Sequence, residues 1–247
     1  MLIRIIAFGM LVGSAFMQAQ AQPLNTLSAQ EKKDGWKLLF NGKNTAGWHK
    51  YGAPGSKVGS SWQTDQGALH LNVPSRAGNK APDGGDLVTD QPISGDFECK
   101  AEWKVDKFTN SGIFFFVQEQ PQFKNVYDTG LELQLEDDAI LAGVGEDKQQ
   151  GHRAGDFFNL AVARVREIEP VGSWNKVHFI LKKNRLTVSL NGYSIQEHDL
   201  TSDSWKKLVA VSNLKNAPIS KGKYSGRIGL QDWGSSVWFR NIKWRPL

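Results

Sequence analysis

A single cysteine, Cys99, among 247 residues excludes an internal disulfide and a thiolate metal cluster. It stands far from the N-terminus, so it is not a lipid-modified first residue. Beyond residue 21 no apolar stretch approaches the roughly 20 residues that a membrane-spanning helix needs. The 30 Lys and Arg outnumber the 25 Asp and Glu by five, yet no basic run exceeds two residues. A stripe suited to a phosphate backbone is therefore missing, and nucleic acid is not an expected partner. Also missing are a Gly-x-Ser-x-Gly elbow, His-Glu-x-x-His, a phosphate-binding loop and a dinucleotide fingerprint, which removes several large enzyme classes. What the chain has is bulk: nine Trp and 13 Phe within a 40% hydrophobic composition describe a globular protein, not a disordered one.

The first 21 residues read as an export leader. Arg4 supplies the positive end, residues 5–17 are apolar, and Ala19-Gln20-Ala21 fits a small-x-small cleavage site. The mature chain is expected to begin at Gln22, in the periplasm or outside the cell, with no membrane span after leader removal. Residues 22–34 form an N-terminal segment with one short helix, opened by a capping box at Ser28 and Glu31 and stopped by Gly35.

From residue 35 to 247 the pattern is that of one β domain. Short runs rich in β-branched and aromatic residues, bounded by Gly, Pro, Asn and Asp, predict about twelve strands: 36–40, 61–65, 68–73, 86–89, 97–105, 112–118, 130–136, 174–181, 186–190, 193–198, 226–231 and 237–244. Asn191-Gly192 between two alternating runs predicts a hairpin with a type I′ turn. Only residues 202–212, with Trp205, Leu208 and Val209 at helical spacing, predict a second short helix. Many strands and few helices imply an all-β, two-sheet antiparallel jelly-roll sandwich, which commonly offers one concave face to a ligand.

The sharpest pattern is the run 130–136, which alternates strictly. Leu131, Leu133 and Leu135 take one face and Glu132, Gln134 and Glu136 the other. The polar row is either an ordinary solvated face or a sugar-cleaving site. Along a regular strand Glu132 and Glu136 stand about 13 Å apart at roughly 3.3 Å per residue. A retaining glycosidase needs its carboxyl groups about 5 to 5.5 Å apart.

Three further groups carry chemistry or a structural role. His152 is the one histidine of five beside an arginine, Arg153, and within four residues of an aspartate, Asp156. It is a candidate base near neutral pH, with Arg153 to hold an anion. Gln231, Asp232 and Trp233 end one strand and turn into the last; the alternatives are a tight turn with a packed Trp and a platform for a sugar ring. Glu136, Asp137 and Asp138 with Glu146 and Asp147 bracket a loop that either is solvated or holds a hard cation, without the spacing of a defined calcium loop. His49, His70, His178 and His198 sit in or beside strand patterns and read as packing or surface residues.

The ordered motifs Leu39-Phe-Asn-Gly-Lys43 with Trp48, Gly85-Asp-Leu-Val-Thr89, Gly95-Asp-Phe-Glu98, Asn110-Ser-Gly-Ile-Phe-Phe115, Gly130-Leu-Glu-Leu-Gln134, Gly151-His-Arg-Ala-Gly-Asp156, Pro170-Val-Gly-Ser-Trp-Asn175, Leu190-Asn-Gly192, Gly229-Leu-Gln-Asp232 and Val237-Trp-Phe-Arg-Asn-Ile242 resemble the 3-keto-disaccharide hydrolase family, over about residues 35 to 247. The resemblance implies a concanavalin A-like lectin/glucanase fold, export from a bacterial cell, and action on glycosides oxidised at C3. In such a sugar the ketone acidifies the C2 hydrogen, so one tuned base and one oxyanion stabiliser suffice for elimination of the C1 oxygen, followed by addition of water. No close carboxylate pair is required. The resemblance is compatible with a divalent metal at the enolate, which the sequence does not specify.

The chain departs from the family pattern at Phe116, Leu131 and Trp233, where arginine, proline and histidine are common. Under the enzyme reading Glu132 and His152 are the catalytic candidates, with Gln134, Arg153, Asp156, Gln231, Asp232 and Trp233 around the substrate. A non-catalytic carbohydrate-binding module and a conventional glucanase using Glu132 and Glu136 are the competing readings. Gln134, standing where such glucanases carry an aspartate, speaks against the last.

Overall fold

The computed structural model describes residues 22–74 and 80–247; the expected leader and cleavage site lie outside the described residues. Three helices are short. α1 (Ala29–Lys33) has the expected capping box, with Ser28 and Glu31 each bonded to the other's backbone N–H. α2 (Glu146–Gln149) was not foreseen, and α3 (Asp203–Val211) is capped by the Ser202 hydroxyl and buries Trp205 and Val209.

Thirteen strands are described. They are β1 (Lys37–Leu38), β2 (Trp48–Lys50), β3 (Trp62–Asp65), β4 (Ala68–Leu71), β5 (Leu87–Thr89), β6 (Phe97–Val105), β7 (Asn110–Val117), β8 (Leu131–Glu136), β9 (Asn175–Lys182), β10 (Arg185–Leu190), β11 (Tyr193–Asp199), β12 (Arg227–Leu230) and β13 (Val237–Pro246). One antiparallel sheet has eight strands in the order β11-β10-β9-β6-β13-β4-β3, with β1 beside β13; the other has five, β2-β5-β12-β7-β8. The all-β two-sheet sandwich is thus as expected. The strand missed from sequence is β2: three residues, two of them buried, leave too short a run to show alternation. The Asn191-Gly192 turn has positive φ at both residues, as type I′ requires.

The core lies between the sheets. Phe115 of β7 stacks on Phe179 of β9 with ring centroids 3.7 Å apart, and Trp103, Phe97 and Phe239 complete the layer. Phe116 has φ +66°, beside a register shift in the β7–β12 pairing. The bulge turns Phe115 and Phe116 to the same side, and Phe116 packs edge-on against Phe97, Phe179 and Tyr224. Phe116 and Leu131 are both 4% exposed or less within the core. These two departures from the family pattern are therefore packing changes between the sheets, not losses from a ligand face.

On β8 the alternation holds: Leu131, Leu133 and Leu135 are 1%, 0% and 1% exposed and face the core. Leu133→Ala is expected to cost about 2 to 5 kcal/mol, because it opens a cavity among close-packed neighbours. Chemical denaturation reads that loss, and a variant as stable as the parent would show that Leu133 is not a core contact.

Candidate functional site

The opposite face of β8 is not solvated: Glu132, Gln134 and Glu136 are buried. Two features make this so. On one side β7 pairs with β8, placing Asn110 beside Glu136, Gly112 beside Gln134 and Phe114 beside Glu132. On the other edge the segment 155–158 adds itself through backbone bonds, Gln134 N–H to Asp156 C=O, Gly155 N–H to Gln134 C=O and Phe158 N–H to Glu132 C=O, all 2.9 to 3.0 Å. That edge pairing closes the 20 residues between Glu132 and His152 and brings both to one cleft.

The cleft has a volume of about 420 Å³. It is lined by Glu132, Gln134, His152, Gln231 and Trp233, together with Asn110, Tyr127, Phe158 and Asn213. The last four were not read from the sequence. Asn110 shares the outward face of β7 with Gly112 and was legible by alternation; Tyr127 sits in a single 3-10 turn of helix (Val126–Asp128) and Asn213 in a turn, neither with a periodic signal.

Glu132 Oε1 accepts a hydrogen bond from Gln231 Nε2 at 2.8 Å. Burial, then the nearby Asp86 carboxylate, pushes the Glu132 carboxyl up to about 8, against the opposing Gln231 bond. Gly112 is the floor beneath it: a Cβ there would stand 2.5 Å from Glu132 Oε1. Gly112→Ala is therefore expected to push the carboxyl off Gln231 and lower any turnover by about 10², the scale of a misplaced reacting group. Turnover and thermal stability measured together check this, since only the first should fall steeply.

Gln134 Nε2 donates to Glu136 Oε2 at 3.1 Å and to Asn110 Oδ1 at 3.2 Å. The Glu136 carboxyl is likewise pushed up to about 8, mainly by burial. Among the described residues, Gln134 Oε1 and Gln231 Oε1 of the cleft lining and Glu136 Oε1 on the same face of β8 are buried without a partner. Buried polar atoms are rarely left this way, so an acceptor-rich floor is built for a ligand that donates. Sugar hydroxyls do so. No three His, Cys, Asp or Glu side chains among the described residues converge as a ligand set, and the donors present do not fit a resident metal.

Three expected substrate contacts are structural instead. Asp156 is 0% exposed and accepts from Arg153 N–H, Ala163 N–H and Arg166 Nη2 at 3.1, 2.7 and 2.7 Å. Arg153 turns away from the cleft, bonds Gln149 Oε1 through Nε at 3.1 Å and lines a separate hollow beside Arg166. Asp232, also 0% exposed, accepts from the N–H groups of Ala81, Gly85 and Gly234 and so ties the 81–85 loop to the last turn. The acidic loop is spent in the same way, because Asp137 accepts from Phe108 and Ala139 N–H and Asp138 from Ala154 N–H.

Three of the remaining histidines do more than pack, and one of them, His198, meets Gln196 Oε1 through Nε2 at 2.8 Å. Buried His49 joins Asp90 at 2.6 Å and Glu119 at 2.9 Å, and His178 joins Glu98 at 2.5 Å. His70 stacks on Trp238.

A 3-keto-disaccharide hydrolase of Bacteroides thetaiotaomicron is 27% identical over 246 residues, covering 92% of this chain and 84% of that protein. A candidate glycosyl hydrolase from Parabacteroides distasonis superposes with a TM-score of 0.77 at 30% identity, over 91% of this chain and all of that one. A second from the same organism, at 24% identity, gives 0.61 over 86% and 99% and supports the fold. Residues 35–245 match the 3-keto-alpha-glucoside-1,2-lyase-like domain, and the chain belongs to that family.

Proposed function

We propose that the cleft cleaves glycosides oxidised at C3, with Glu132 as the base that takes the C2 proton. The electrons of the C2–H bond form an enolate with the C3 carbonyl, the C1–O bond breaks, and water then adds across C1 and C2. The observation that carries this reading is a single buried carboxyl on the cleft floor, pushed up to about 8 and aimed by one amide, since a base works best when its pKa lies near the working pH.

The other residues take their roles from where they stand. His152, at the cleft wall, donates a proton to the departing oxygen. The unpaired oxygens of Gln134 and Gln231 accept sugar hydroxyls. With Arg153 directed elsewhere, the enolate oxygen falls to neutral donors, the Tyr127 hydroxyl and the Asn110 amide, whose Oδ1 is already engaged by Gln134. Substrates of this kind are consistent with export through residues 1–21, which carry the features of a leader.

The pH profile tests the role of Glu132. A base must be ionised, so kcat/KM should rise with pH through about 8 and level above it. Glu132 and Glu136 titrate as neighbours, and the observed limb belongs to the pair. A profile that falls through this range would make the carboxyl a proton donor instead. A carbohydrate-binding module without turnover is the second reading, favoured by Trp233 on the cleft wall, whose ring offers a stacking face.

A further inference from the structure

A cavity of about 530 Å³, larger than the cleft, lies on the outer face of the eight-stranded sheet. Its floor is made by the outward residues of β10, β9, β6 and β13. Register places Ser189 beside His178, His178 beside Lys100, and Lys100 beside Lys243, so one rung carries two lysines in direct cross-strand contact next to a histidine. Like charges directly opposite each other destabilise a sheet, and the next rung sets Lys176 beside Glu102.

Internal partners account for only part of this charge. Lys243 pairs with Glu31 of α1. Glu102 is taken by Arg240 at 2.7 Å, and His178 shares Glu98 with Arg245. Among the described residues Lys100 and Lys176 have no carboxylate partner. Lys100 Nζ is held 4.8 Å from the centre of the Trp36 ring, which fixes the ammonium without neutralising it.

We infer that this cavity binds an acidic sugar unit of a polysaccharide, with Lys100 and Lys176 on its carboxylate or sulfate. The shape argues for a sugar over a nucleic acid. The volume falls within the range of about 300 to 1,000 Å³ for small-molecule sites, and the charge is gathered in a concavity rather than along a stripe. Asn241 and Ser189 add neutral hydrogen-bonding groups to its wall. Because the cavity lies across the sandwich from Glu132, it would anchor the protein on a polymer while leaving the cleft open.

The test is retention on immobilised polygalacturonate and carrageenan at about 0.15 M salt, where long-range attraction between exposed charges is largely screened. Polyglutamate and neutral agarose serve as reference matrices. The parent and a Lys207→Gln/Lys221→Gln control should bind at least one acidic polysaccharide, and Lys100→Gln/Lys176→Gln should bind about tenfold more weakly, a difference of about 1.4 kcal/mol. Polygalacturonate alone would identify a carboxylate as the ligand, and carrageenan alone a sulfate. Failure of both, equal retention on polyglutamate, or equal loss in the two double variants would overturn the inference. Turnover at the cleft should be the same in all three proteins, so a failed proposal for the cleft leaves this result readable.

Discussion

Glu132→Gln is expected to lower turnover of a 3-keto glycoside by about 10² or more, the usual scale for a positioned acid or base. The substitution keeps the shape of the side chain and an oxygen for Gln231 Nε2, so what it removes is the ability to take a proton. Stability should move the other way. The folded carboxyl sits at about 8 against an ordinary 4.5, so between these values the unfolded chain ionises while the folded one resists. Stability from this group therefore falls as pH rises from about 4.5 to about 8 and is constant beyond. The amide escapes that penalty, and Glu132→Gln should melt at or above the parent temperature near pH 8. Lost turnover with an unchanged or raised Tm assigns Glu132 to chemistry. Near-parent turnover would remove it from the mechanism.

Asp156→Ala is expected to cost about 3 kcal/mol or more, the scale for breaking a buried ion pair by deleting one partner. The carboxylate is fully buried and serves two backbone N–H groups and Arg166; alanine leaves all three donors without an acceptor. Since the 155–158 segment is also the edge that carries His152 to the cleft, activity should fall together with stability. Thermal and urea unfolding read the effect. A stable Asp156→Ala protein with only a raised KM would restore the aspartate to substrate binding.

The fold was legible because its signals are local. Alternation named the leucine face of β8, Asn-Gly named the hairpin, and Ser28 with Glu31 named the first cap. The site was legible where a residue's face follows from strand period: Glu132 and Gln134 on β8 share the cleft with Gln231 and Trp233, which follow β12. It was not legible where a carboxylate's fate depends on which distant N–H groups converge on it. Asp156 and Asp232 look like site residues in sequence because each sits among glycines and polar groups. A glycine far away in the chain lets the backbone close around one of them; at Gly84 a Cβ would stand 2.4 Å from Asp232 Oδ2. The inward place of Phe116 was not legible either, because a single bulge moves a residue from one face of a strand to the other.

The most direct measurement is release of the aglycone from matched glycosides that differ only at C3, one with the native hydroxyl and one with the ketone. Elimination needs the acidified C2 hydrogen, so the protein should cleave the keto compound and leave its native counterpart intact. Equal cleavage of both would contradict the role given to the ketone and return Glu132 and Glu136 to glucanase chemistry. No cleavage of either, with sugar binding that weakens in Trp233→Ala, would make the cleft a binding site.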